Sequence, residues 1–173
     1  MNVDAIDEER RRFAHTLEQV DPDAPTNAGS WSAHDVVAHV LSIEGPASRY
    51  ATFVGRSMVA RGVRLNDRVP QAVADLGIAR VKRRGYAWVI DRLRQPTPAV
   101  LARPGTCVVT LFEVWTHHED VRRPNGVARD AHPDLTEVIA FLTRYGRIDD
   151  VPDGPAHDVA YWLAGREGGP RPI

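Results

Sequence analysis

The sequence has only one cysteine, Cys107, so no internal disulfide can form and no cysteine pair exists to hold a metal or run redox exchange. Neither sign of charge is in excess: 22 basic side chains against 23 acidic ones give a net charge of −1, without the basic surplus that binds nucleic-acid phosphates. Long apolar runs are absent too. Every hydrophobic stretch is broken by charge, Gly or Pro well before the roughly 20 residues that span a bilayer, so no membrane partner is expected. The opening residues MNVDAIDEERRR lack the apolar core of a signal peptide, and with the single thiol this points to the cytoplasm. No G-x-G-x-x-G, Walker loop, G-x-S-x-G or C-x-x-C occurs, which removes the usual nucleotide, hydrolase and redox signatures.

What remains is a chain of 173 residues, 43% hydrophobic, large enough to bury one proper core. Ile6, Phe13, Leu17 and Val20 recur at helical spacing, with Glu8, Glu9, Arg10, Arg11 and Arg12 expected on the opposite, wet face. After the turn-rich segment from Asp21 to Gly29, Ser32 offers an N-cap and Asp35, three positions on, completes a variant capping box. The helix it opens carries Val36, Val40 and Ile43 and should stop near Gly45-Pro46. Ala47 to about Leu65 reads as a helical continuation into a basic loop. Val69 to Leu93 reads as one long helix with weak points at Gly77 and Gly85. Leu135 to Tyr145 and Val159 to Leu163 outline two more helices, separated from the rest by the turn Pro124-Asn125-Gly126. With few credible strands, the fold class is mainly α. The economical architecture is a four-helix bundle over residues 1–126 with a short C-terminal helical extension over 127–173.

Residues 106–121 are rich in β-branched side chains, and Thr106 to Leu111 alone would pass for a strand. On a helical wheel, however, Thr106, Thr110, Glu113, His117 and Asp120 form one narrow polar stripe, with Cys107, Val108, Val109, Leu111, Phe112, Val114 and Trp115 around the remainder. A helix apolar almost all round belongs in a core, and its polar stripe then needs partners, water or a metal. Glu113 and His117 stand one turn apart and can bite one ion together. His39, beside the Val36/Ile43 stripe, is the best third ligand, completing a His2Glu set that suits zinc with an open fourth position and equally suits iron or nickel. Asp120 either orients His117 or His118 or pairs with Arg122 or Arg123. The bland alternative is that His39, Glu113 and His117 are hydrogen-bonded core residues. His15, His34, His132 and His157 read as exposed or capping residues and Cys107 as packing. The four tryptophans read as core or cleft wall, and Lys82-Arg83-Arg84 and Arg122-Arg123 as solvated faces or anion sites.

Two blocks, Gly29-Ser-Trp-Ser-Ala-His-Asp-Val-Val-Ala-His39 and Glu113-Val-Trp-Thr-His117-His118-Glu-Asp120-Val-Arg-Arg-Pro-Asn-Gly126, together resemble the DinB-like superfamily. Within it the similarity is to the mycothiol-dependent maleylpyruvate isomerase-like, metal-binding branch of actinobacterial type. The resemblance implies a four-helix bundle holding a divalent metal, usually zinc, on His39, Glu113 and His117, with a low-molecular-weight thiol such as mycothiol as cosubstrate. Val159-Ala-Tyr-Trp-Leu-Ala-Gly-Arg166 is similar to the family's closing segment, which would carry Arg166 over as an anion contact. The resemblance extends over about half of the chain, and the tail is shorter than in full isomerases, so the substrate itself is not implied.

The leading expectation is a metal-dependent enzyme of thiol chemistry, an S-transferase or isomerase, acting on a small molecule as a monomer or homodimer. The alternatives are a tailoring or lyase-type enzyme on the same scaffold and a non-catalytic metal- or ligand-binding module.

Overall fold

The structure, a computed structural model, describes residues 3–45, 68–146 and 148–167. Seven helices occupy them: α1 (Val3–Leu17), α2 (Ala33–Ser42), α3 (Arg68–Lys82), α4 (Tyr86–Arg94), α5 (Cys107–Arg122), α6 (Thr136–Gly146) and α7 (Ala156–Leu163). The only β pairing among the described residues is an isolated bridge between Pro25 and Ser32. The chain is therefore mainly α, and Thr106 to Leu111 is helix rather than strand from Cys107 onward. The segment Ala47 to Leu65 lies outside the described residues.

Local chemistry sets two of the helix boundaries. Ser32 caps α2 as expected: its hydroxyl accepts from the Asp35 amide while the Asp35 carboxylate accepts from the Ser32 amide at 3.1 Å. The single helix expected from Val69 to Leu93 is two, because Gly85 takes φ +89, a left-handed backbone that ends α3 and lets α4 start in a new direction. Gly77 does not break α3. Its missing side chain instead admits α2, since a Cβ there would lie 2.8 Å from Ser42 Cβ.

Helix α5 is the centre of the molecule and is covered from two sides. Val114 and Val121 join Phe13 and Leu17 of α1, Val36 and Val40 of α2 and Val89 and Leu93 of α4 in one apolar core. Cys107, Leu111 and Trp115 join Leu135, Val138 and Leu142 with Tyr161 and Leu163 of α7 in a second. Two cores on adjoining arcs of its surface explain why the helix is apolar over so much of its circumference. Its polar residues occupy the seams between them.

One sequence expectation for α1 fails. Glu9 and Arg10 do not sit on the wet face; each is 1% exposed. Their positions, three and four residues after Ile6 and ahead of Phe13, place them on the buried stripe, where burial is tolerable only because each finds a partner. Arg10 pairs with Glu44 and donates to the carbonyls of Leu93 (3.2 Å) and Arg92 (2.9 Å). Arg92 reaches the same Glu44 at 2.5 Å. Glu9 binds His118 and Arg129, and Arg129 in turn bridges to the fully buried Glu119 at 3.0 Å. His118 Nε2 meets the Thr16 hydroxyl at 2.7 Å, and its ring stacks on Phe13. The network fastens α1 to α5 and to the loop before α6.

Candidate metal centre

The seam between α2 and α5 brings His39, Glu113 and His117 together. One donor atom from each lies within 4.8 Å of the others. His39 Nε2 is 3.9 Å and His117 Nε2 is 3.5 Å from the same oxygen, Glu113 Oε2. Such separations are too long for good hydrogen bonds. Two donors at zinc-ligand distances from one tetrahedral ion stand about 3.3 Å apart, so a small rotation of these side chains accommodates an ion. The three residues chosen from the sequence are the three that the structure assembles.

The two imidazoles are held differently. His117 Nδ1 donates to Asp120 Oδ2 at 3.0 Å, which turns Nε2 toward Glu113. Burial lowers the His117 pKa, but the Asp120 and Glu113 carboxylates outweigh it and raise the value to about 9. A metal ion held here would have to displace a proton from His117, so its binding would tighten with rising pH. Burial and the neighbouring His117 push His39 down to about 4, so this ring is neutral and ready to ligate at neutral pH. His39 Nδ1 is buried and has no hydrogen-bond partner among the described residues, so only the His117 tautomer is fixed by a neighbour. The donor types, their convergence and this tautomer control all fit a divalent metal.

The candidate ligands form one wall of an open cleft of about 310 Å³, completed by Trp31, Phe112, Thr116, Ala164 and Arg166. Trp31 lies tilted against His39 with the ring centres 4.9 Å apart, and it is the tryptophan that lines the site. Trp115 is a fully buried core residue, and Trp88 lies under Arg84. A second cleft, lined by Asn27 to Trp31 with His117 and Arg166, adjoins the first.

The remaining polar residues of α5 divide their work. Thr106 and Thr110 donate to the carbonyls of Val100 and Leu101, each at 3.0 Å, and so fasten the loop entering the helix. Of the partners considered for Asp120, the structure selects His117. Arg122 and Arg123 are not free solvated cations: both grip Glu119, at 2.6 and 2.8 Å. Arg123 also reaches Asp158 and Glu167 and stacks on Tyr161. Lys82 pairs with Asp35 at 2.6 Å. Arg166 reaches the cleft, as its carry-over required, yet all three of its nitrogens bond within the chain, two to Asp120 and one to the Ala164 carbonyl. His132 is half-buried, accepts from Trp115 Nε1 at 3.5 Å and stacks on His157 at 4.0 Å. Cys107 is buried.

Tyr161 and Asn27 escaped sequence reasoning. Tyr161 donates to Asp120 Oδ1 at 3.0 Å and accepts from the Asn27 amide at 2.9 Å. Their separation along the chain left no local spacing signal.

No family model, curated protein or solved structure matches this chain. Among the described residues no helix is long and apolar enough to cross a membrane.

Proposed function

We propose that this protein is a divalent-metal-dependent enzyme of small-molecule chemistry, with His39, Glu113 and His117 as ligands and zinc as the resident ion. The observation that carries the reading is the placement of a converged His2Glu set on the wall of an open cleft. A structural zinc site closes its coordination with four protein side chains, whereas a catalytic one keeps a position for its substrate. Among the described residues three side chains converge here, and the cleft lies beside them.

The motif resemblance to the DinB-like superfamily directs the proposal further: a four-helix bundle for the first part of the chain, and thiol transfer or thiol-assisted isomerisation with a mycothiol-like thiol as the reaction. A bound divalent ion supplies the positive charge that lowers a thiol's pKa into the neutral range. The chain's own residues do the remainder. Trp31 and Phe112 offer apolar walls to an electrophilic carbon skeleton, and Asp120 keeps the His117 Nδ1 proton away from the cleft. The substrate enters from solvent through the open side of the cleft.

The test is thioether formation from purified protein, a low-molecular-weight thiol and a small electrophile, with and without added zinc. The proposal expects a rate that needs both thiol and metal and falls to background in His117→Ala. An unchanged rate in His117→Ala would refute it.

A further inference from the structure

Asp120 is fully buried, and each of its carboxylate oxygens accepts two hydrogen bonds. Oδ1 takes the Tyr161 hydroxyl at 3.0 Å and Arg166 Nε at 2.8 Å; Oδ2 takes Arg166 Nη2 at 2.7 Å and His117 Nδ1 at 3.0 Å. The backbone is held as well, because the Asn27 amide donates to the Asp120 carbonyl at 2.9 Å while the Asn27 side chain supports Tyr161. Tyr161 lies in α7 and Arg166 just beyond it, in the part of the chain read from sequence as an extension. Arg123 clamps that part onto α5 through Asp158, Glu167 and the Tyr161 ring.

From this arrangement we infer that Arg166 and Tyr161 are positioning residues of the metal centre, acting through Asp120 on His117. The inference rests on the metal-binding reading above. Arg166 presents a planar two-pronged donor edge that fixes the plane of the Asp120 carboxylate, and Tyr161 fills the remaining lone pair on Oδ1. With that plane fixed, Oδ2 stays aimed at His117 Nδ1, so the ring keeps Nε2 turned to Glu113. Without it the carboxylate can rotate, the ring loses its orienting acceptor, and the three donors no longer converge in advance. The C-terminal segment is thus part of the metal centre without supplying a ligand. Linkage makes the effect reciprocal: whatever docking of α7 does for the ion, the ion does for the docking of α7.

Zinc affinity of the full chain, measured by competition with a chromogenic chelator, tests this in the parent and in Arg166→Met, Arg166→Lys, Tyr161→Phe and Arg94→Met. Arg94→Met is the control for loss of an arginine as such, since among the described residues Arg94 pairs with Glu18 and Asp91 on the surface. Loss of an orienting partner of this kind typically weakens metal affinity about 10- to 100-fold. Arg166→Met is expected in that range, with Arg166→Lys between it and the parent, Tyr161→Phe weakened several-fold and Arg94→Met unchanged. Cobalt(II) loaded in place of zinc should show an altered visible spectrum in Arg166→Met, a change that mere destabilisation does not produce. If Arg166→Met does not fold, Tyr161→Phe decides the matter by the same two readouts. Parent-like affinity and an unchanged cobalt spectrum in the folded variants would overturn the inference and leave the metal site standing. A parent that takes up no zinc would overturn both.

Discussion

Replacing Arg129 with Met should cost this protein more than any surface charge. The Arg129 side chain is 4% exposed; it donates to Glu9 at 2.9 Å and Glu119 at 3.0 Å, makes a second contact to Glu9, and donates from Nε to the Ala131 carbonyl. After the change Glu119 still has Arg122 and Arg123, but Glu9, itself 1% exposed, keeps only His118. Breaking a buried ion pair from one side typically costs about 3–5 kcal/mol because the remaining charge stays buried. For a domain of this size 1 kcal/mol moves the melting temperature by about 2–4 °C, so the variant should melt about 6–20 °C below the parent. Urea unfolding followed by circular dichroism gives the free energy directly. Pairing the change with Glu9→Gln should recover part of the loss, since the orphaned charge is removed with its partner. A loss below about 1 kcal/mol, the range of an exposed pair, would refute the reading of this cluster as a buried structural network.

Two further perturbations follow from the same packing. Burial pushes the Glu119 pKa up, but hydrogen bonds from Arg122 and Arg123, with the charges of Arg122 and Arg129, bring it down to about 2 from an ordinary 4.5. Its stabilisation is fully present above pH 4.5, and is lost as pH falls through about 2, a span worth about 3 kcal/mol. Glu119→Gln should therefore flatten the acid limb of the stability profile over that window; an equally steep limb would contradict the assignment. Gly77→Ala would set a methyl group 2.8 Å from Ser42 Cβ, which is fixed to the α2 backbone, and should destabilise by about 1–3 kcal/mol in urea titrations despite alanine's better helix propensity. A neutral or stabilising result would show that α2 and α3 can separate freely.

Most of the helices and the candidate metal ligands were legible in the sequence because both rest on short-range regularities. Ser32 and Asp35 announce a cap, and Glu113 and His117 announce a shared face by standing one turn apart. His39 was reachable because α2 has a clear apolar stripe to place it on. Glu9 and Arg10 are charged yet sit inside: their spacing from Ile6 and Phe13 puts them on the buried stripe, and the distant Arg129, Glu44 and His118 make that tolerable. Gly85 was seen as a weak point, but whether a glycine bends or ends a helix depends on a φ value that composition does not encode. Tyr161, Arg166 and Asn27 meet at Asp120 only through tertiary folding. The residues gathered around Asp120 therefore lay beyond any periodic signal.

The central claim is that His39, Glu113 and His117 hold one divalent ion, and elemental analysis of untagged protein purified without chelator tests it most directly. The account predicts about one equivalent of zinc, iron or nickel in the parent, and little in His39→Ala and His117→Ala variants that keep the parent's helical spectrum. A stably folded parent that carries no metal and takes up none on dialysis against zinc would contradict it.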